Sequence, residues 1–194
     1  MLRLLIYGEL LERDEMGREH KIISNKTVFS TPWFDVKAKC YNGSQDPYYV
    51  LELPDYVSIV AITNDGQILL VEQYRPVVEG DTLELPSGHV EEGEGPEEAA
   101  CRELFEETGY KADEVKLLGT LIPDTGRLGN KMWCYFAANV VRVSERPMEI
   151  DIKLVKCSIK ELMLWIKQGK INHALNIAAV YLGIEQEEFA RHLN

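Results

Sequence analysis

One stretch of this chain reads as a helix whose own charges oppose it. Residues 84–110 run ELPSGHVEEGEGPEEAACRELFEETGY. Pro96 suits a first helical position, where its missing N–H costs nothing. Helix formers follow from residue 97 to residue 108, and Gly109 stands as the C-terminal stop. On such a helix Glu103 and Glu107 are spaced i,i+4 and Glu103 and Glu106 i,i+3, so all three point to one side. Ala100 and Leu104 point to a neighbouring side and can anchor the helix to a core. Like charges at i,i+4 cost roughly 0.2–0.5 kcal/mol per pair. Arg102, four residues before Glu106, offsets only part of this. Glu91, Glu92, Glu94, Glu97 and Glu98 deepen the field upstream. Such a cluster is either a solvated acidic face or a carboxylate cage for a hard cation. Oxygen donors suit Mg²⁺, Mn²⁺ or Ca²⁺, whereas Zn²⁺ would want His or Cys. His89, the only histidine nearby, reads as a surface or packed residue and is left out of the site.

The helix interrupts a strand-rich chain. Residues 20–52 hold short strands, with 27–29 and 34–41 rich in β-favouring residues and turns at 30–32 and 42–44. Residues 57–62 and 68–74 flank Asn64-Asp65-Gly66, a hairpin signal. A further strand at 82–85 runs into Pro86-Ser87-Gly88. Past the helix, strands are expected at 115–121, 132–141 and 152–157, then helices at 159–167, 171–182 and 185–192. Mixed strands with helices interspersed and gathered at the end predict a layered α/β or α+β domain. The division expected is an N-terminal segment and small β-arm over 1–52 and a larger domain over 53–194.

Composition narrows the function. Lys+Arg 21 against Asp+Glu 32 gives a net charge of -11. That surface repels nucleic-acid phosphates, so a nucleic-acid partner is not expected. An acidic protein that handles an anionic substrate needs a cation between the two sets of charge. Cys40, Cys101, Cys134 and Cys157 are scattered without C-x-x-C spacing, which predicts reduced thiols in a cytoplasmic protein. The apolar start, residues 1–11, is interrupted by Glu9 and is too short to span a bilayer, so no membrane partner is expected. Trp133 and Trp165 lie in apolar-periodic segments and read as core.

The spacing within 84–110 decides between the readings of the acidic helix. Gly88, five residues, Glu94, seven residues, Arg102-Glu103-Leu104, one residue, Glu106-Glu107, one residue and Gly109 together resemble the Nudix box. Tyr110 stands where an aliphatic is usual, at a packing position. The resemblance implies an α/β/α sandwich around a mixed sheet, and Mg²⁺-dependent (or Mn²⁺-dependent) cleavage of a small-molecule diphosphate by water attack at phosphorus. It places the metal on Glu103, Glu106, Glu107 and the backbone carbonyl of Ser87. Glu106, Glu107 and Arg102 are then catalytic, Arg102 by orienting the glutamates. Gly88, Glu94 and Gly109 are structural positions of the box, Gly88 letting the backbone approach the metal.

Outside the box, EQYRP (72–76), LELPSG (83–88) and KTVFSTPWFDV (26–36) resemble the ADP-ribose and ADP-sugar pyrophosphatase branch. Pro123 matches that branch's loop proline, although its usual Ser-Pro-Gly is Ile122-Pro123-Asp124 here. GDP-mannose and other nucleotide-sugar hydrolases share much of the layout. Trp33, Arg75 and Glu84 are the candidates for substrate contact. Trp33 either stacks a base or fills a core or interface; Arg75 either reaches a phosphate or ribose or makes a surface ion pair. The branch supplies its general base from a late loop, here 143–153, where Glu149 is the first choice and Glu145 and Asp151 the others. The arm's open strand edges imply a homodimer. Non-catalytic regulatory Nudix modules typically lack a box glutamate, and this chain keeps all of them.

Overall fold

The computed structural model describes residues 20–144 and 151–191. Eleven strands and four helices follow in order among these residues: β1 (Ile22–Ser30), β2 (Asp35–Tyr41), β3 (Tyr48–Glu52), β4 (Tyr56–Thr63), β5 (Gln67–Arg75), β6 (Gly80–Glu84), β7 (Ser87–His89), α1 (Pro96–Thr108), β8 (Tyr110–Lys111), β9 (Lys116–Leu121), β10 (Met132–Arg142), β11 (Lys153–Ser158), α2 (Ile159–Lys167), α3 (Ala174–Ile184) and α4 (Glu187–Arg191). The chain forms two compact units. One holds the described residues up to Leu53 together with Gly126–Gly129; the other holds Pro54–Thr125 and the described residues from Asn130 onward.

The smaller unit is an antiparallel meander, β1-β2-β3. Its strands are at most half-buried, and Ile22, Ile23, Val28, Phe29, Tyr48 and Tyr49 stay exposed. Lys37 sits between Asp35 at 3.1 Å and Glu52 at 3.3 Å. The inserted piece joins through Leu51, whose N–H donates to the Arg127 carbonyl at 2.8 Å and whose carbonyl accepts from the Gly129 N–H at 2.8 Å.

The larger unit is built on an eight-stranded sheet ordered β11-β5-β4-β10-β8, with β6 on β5, β7 on β4 and β9 on β10. β10 runs parallel to β4, and its other pairings are antiparallel. Strands buried on both faces need apolar residues at successive positions, and β4 (YVSIVAIT) supplies them. The pleat then sorts them. Val57, Ile59 and Ala61 join Ala99, Ala100 and Leu104 of α1 in one core; Val60 and Ile62 join Leu162, Ala179, Val180 and Phe189 of α2, α3 and α4 in the other. Helices therefore cover both faces, and the unit is an α/β/α sandwich around a mixed sheet. Tyr110, the departure from the usual aliphatic, is 5% exposed in the α1-side core. Trp133 and Trp165 are partly buried against the two cores.

Three local expectations shift. The hairpin at Asn64-Asp65-Gly66 closes through the Gly66 N–H to the Thr63 carbonyl, but β4 and β5 pair only at Ile62 and Ile68, and β7 pairs with the start of β4, Tyr56–Ser58. The third helix starts at Ala174 rather than residue 171: Ile171 is buried without being helical, and His173 is the N-cap. Ser87–His89, where no strand is expected from sequence, is strand β7.

Candidate active site

α1 is set by its ends. Pro96 follows the Gly95 N-cap, whose N–H donates to the Glu98 carboxylate at 2.8 Å. Gly109 closes the helix in the left-handed region at φ 74°, its N–H on the Phe105 carbonyl. With Ala99, Ala100 and Leu104 in the core, Glu103 and Glu107 are forced beside β7 and are buried, 7% and 3% exposed. Glu106, on the same side, is half-buried.

β7 meets this row of carboxylates with its backbone. Ser58 and Ser87 face each other in the β4–β7 ladder, and their Oγ atoms are 2.9 Å apart. The Pro86 carbonyl accepts from Ile59, and the Val90 N–H donates to Asp55. By the alternation of an antiparallel pair, the N–H and C=O of Ser87 therefore turn away from β4. That N–H donates to Glu107 Oε2 at 2.8 Å. At Gly88 the Glu103 carboxylate lies where a side chain would stand: a Cβ there would be 1.9 Å from Oε1 and 2.1 Å from Cδ.

Arg102 ties the cluster together. Its Nε and Nη2 bind both oxygens of Glu94 at 2.9 and 3.0 Å. Nη1 donates to Glu103 at 2.7 Å and to Glu106 at 3.1 Å, and Nη2 to the His89 carbonyl at 2.9 Å. These bonds hold the guanidinium firmly charged, chiefly through Glu94, and Arg102 in turn holds the Glu94 carboxyl below the usual glutamate range. Glu94 thus clamps Arg102 rather than joining the row. Among the described residues no three Asp, Glu, His or Cys side chains are gathered as a ready-made cage. Arg102 bridges two of the carboxylates, Glu103 and Glu106, through Nη1. The donor chemistry nonetheless fits a hard divalent cation. Every donor is oxygen, and the Gly88 cradle admits a carboxylate against the backbone.

Arg75 and Glu84 form a second pair. Nε and Nη2 of Arg75 reach the two Glu84 oxygens at 2.9 and 2.8 Å, and Thr82 also donates to Glu84. Burial pushes the Glu84 carboxyl up, but Arg75 and Thr82 outweigh it and keep it below the ordinary value. Glu84 is buried and the Arg75 side chain is 40% exposed, so the pair presents an oriented guanidinium. Trp33, in the smaller unit, is 73% exposed, which removes the reading as core of its own unit. Asp151 is exposed; Glu145 and Glu149 lie outside the described residues. Cys134 and Cys157 are buried, with thiols pushed up to about 12 by burial, Cys40 is half-buried and Cys101 exposed, and all four are free. No described helix is long and apolar enough to cross a membrane.

Two contributors were not legible in the sequence. Ser58 gives no motif signal. Asn176, 1% exposed on α3, accepts the Leu85 N–H at 3.0 Å across 91 residues of chain. Its only trace is an amide inside an otherwise apolar helix, ALNIAAVYLGI.

The chain is similar to several known proteins. The chain is 29% identical over 181 residues to a methanol dehydrogenase activator of Bacillus methanolicus, spanning 88% of this chain and 97% of the relative. It is 27% identical over 176 residues to an ADP-ribose pyrophosphatase of Bacillus subtilis, spanning 87% and 95%. It is 46% identical over 128 residues to an ADP-sugar pyrophosphatase of Mus musculus, spanning 60% and 55%. A crystal structure of an ADP compounds hydrolase superposes with a TM-score of 0.75 at 25% identity, covering 92% of this chain and 96% of that one. The NUDIX domain model matches residues 52–175, the span that contains the carboxylate helix, the Gly88 cradle and the Arg102 clamp, and the chain belongs to the Nudix hydrolase family.

Proposed function

We propose that this protein hydrolyses the diphosphate of a nucleoside-diphosphate compound, ADP-ribose or an ADP-sugar first, to AMP and a sugar phosphate. The observation that carries this is the row Glu103, Glu106 and Glu107 set against the Ser87–Gly88 backbone. Substrate class is supported by relatives named as ADP-ribose and ADP-sugar pyrophosphatases. Nudix hydrolases generally use a divalent metal. Here Glu103, Glu106, Glu107 and the Ser87 carbonyl would hold it, with Mg²⁺ first and Mn²⁺ second. When bound, such an ion neutralises phosphoryl oxygens and lowers the pKa of water.

The chain's own residues do the rest. Arg102 fixes Glu103 and Glu106 while being fixed itself by Glu94 and His89. Glu107 holds the Ser87 N–H and so sets the direction of that peptide. Arg75, oriented by Glu84, offers donors to an anionic or ribose part of the substrate. Trp33 offers an exposed ring for stacking. Glu149 is our choice for the general base, with Glu145 and Asp151 behind it. The protein works in the cytoplasm as a homodimer joined through the arm, whose exposed apolar strands need a cover.

The test is a panel of nucleoside-diphosphate compounds with Mg²⁺, products read by mass spectrometry. ADP-ribose should give AMP and ribose 5-phosphate without inorganic phosphate. A far higher kcat/KM on GDP-mannose would reassign the substrate, and no turnover of any compound would overturn the reading.

A further inference from the structure

Leu85, Pro86 and Ser87 carry the chain from β6 into β7, and the fate of their N–H groups can be followed. Pro86 has none. Leu85 donates to Asn176 Oδ1 at 3.0 Å, and Ser87 donates to Glu107 Oε2 at 2.8 Å. Asn176 belongs to α3, in the layer on one face of the sheet, and Glu107 to α1, in the layer on the other. The segment that faces the carboxylates is thus pinned by one side chain from each helical layer. The Pro86 carbonyl adds a bond to Ile59, and the Ser87 hydroxyl donates to the Leu85 carbonyl at 2.8 Å.

Asn176 is an expensive way to fill that place. It is 1% exposed, and its Nδ2 is buried without a hydrogen-bond partner. The amide cannot be turned round to relieve this, because Leu85 N–H is a donor and requires Oδ1 to face it. A residue needed only for packing in this apolar helix would be apolar and would leave no orphan donor. What the amide contributes is one acceptor, aimed at the residue two before Ser87.

We propose that Asn176 is a positioning residue for the reaction: by accepting the Leu85 N–H it sets the 85–88 backbone against which Glu103 and Glu107 are arranged. It touches no reacting atom and acts through Ser87 and Gly88. The proposal rests on the hydrolase reading above for its kinetic consequence, but not for its structural one.

Two variants of the full-length protein separate the possibilities. Asn176→Leu keeps the branched shape and removes the acceptor. Asn176→Asp keeps the acceptor and replaces the unpartnered Nδ2. Backbone amide exchange at Leu85 and Ser87 should quicken about 10-fold or more in Asn176→Leu and much less in Asn176→Asp. With ADP-ribose and Mg²⁺, kcat should fall about 10-fold or more in Asn176→Leu with KM little changed, and Asn176→Asp should recover most of it. Thermal stability should order the other way, because Asp brings a carboxyl into an apolar setting. A merely structural role would make the loss of kcat follow the loss of stability, and that result overturns the proposal. Unchanged exchange at Ser87 in Asn176→Leu overturns it whether or not the wild type hydrolyses ADP-ribose. An inactive wild type whose exchange still responds as stated sinks the hydrolase reading and leaves the positioning intact.

Discussion

Gly88→Ala puts one methyl group into the Glu103 carboxylate. The new Cβ would stand 1.9 Å from Oε1, 2.1 Å from Cδ and 2.5 Å from Oε2. Ordinary contact begins near 3.4 Å, so the carboxylate must retreat by about 1.5 Å. The obstacle is the far end of a flexible side chain, so the fold should yield cheaply. Overpacking costs about 1–3 kcal/mol, and the low end, about 1 kcal/mol, corresponds to a Tm drop of roughly 2–4 °C for a chain of this size. Chemistry is less forgiving, since a misplacement of about 1 Å can cost 10²-fold in rate. Glu103 also holds Arg102 at 2.7 Å, so its movement loosens the clamp on Glu106. The expectation is a kcat for AMP release lowered about 10²-fold or more, with a melt that stays cooperative. A second check removes the obstacle: in a Glu103→Ala background the stability cost of Gly88→Ala should vanish, while activity stays low. Wild-type kcat in Gly88→Ala at saturating substrate and metal would refute the placement of Glu103 against this backbone.

Glu107→Gln retains an acceptor for the Ser87 N–H but loses a charge, so it should fold normally and lose kcat by about 10²-fold, measured by steady-state turnover. Arg102 depresses the Glu94 carboxyl, so this pair's stabilisation is complete above the ordinary value of 4.5 and is lost as pH falls through the lowered one. Glu94→Gln should accordingly flatten the acid limb of Tm against pH, and an unaltered limb would contradict the clamp. Light scattering at micromolar concentration should give a homodimer; a fully active monomer would leave the arm without the role assigned to it. Trp33→Ala should raise KM for ADP-ribose more than it lowers kcat, and equal KM values would exclude stacking by this ring.

The boundaries of α1 were legible because Pro96 and Gly109 are strong local signals acting on adjacent backbone. The carboxylate row was legible for the same reason: i,i+3 and i,i+4 spacing fixes a side without any tertiary knowledge. β7 was not, because Ser87-Gly88-His89 has no strand preference of its own and is held extended by β4. The partial hairpin of β4 and β5 was hidden similarly, since the start of β4 pairs with β7, a strand with no signal of its own, some thirty residues away. Asn176 and Leu85 meet only when α3 packs, so no window of sequence contains both. That Arg102 would bind Glu106 followed from spacing, whereas its hold on Glu94 and on the His89 carbonyl needed the loop before the helix.

The excursion of Gly126–Gly129 into the smaller unit makes neither unit continuous in sequence. The polypeptide passes between them three times, after Leu53, after Thr125 and after Gly129. A truncation beginning at Pro54 would therefore not liberate a self-contained module: it would strip Leu51 from both the Arg127 carbonyl and the Gly129 N–H, leaving four residues of an interior loop without their lattice. The two units are in this sense interleaved along the sequence, and inheritance or engineering that exchanges the smaller one must carry the 126–129 loop along with it.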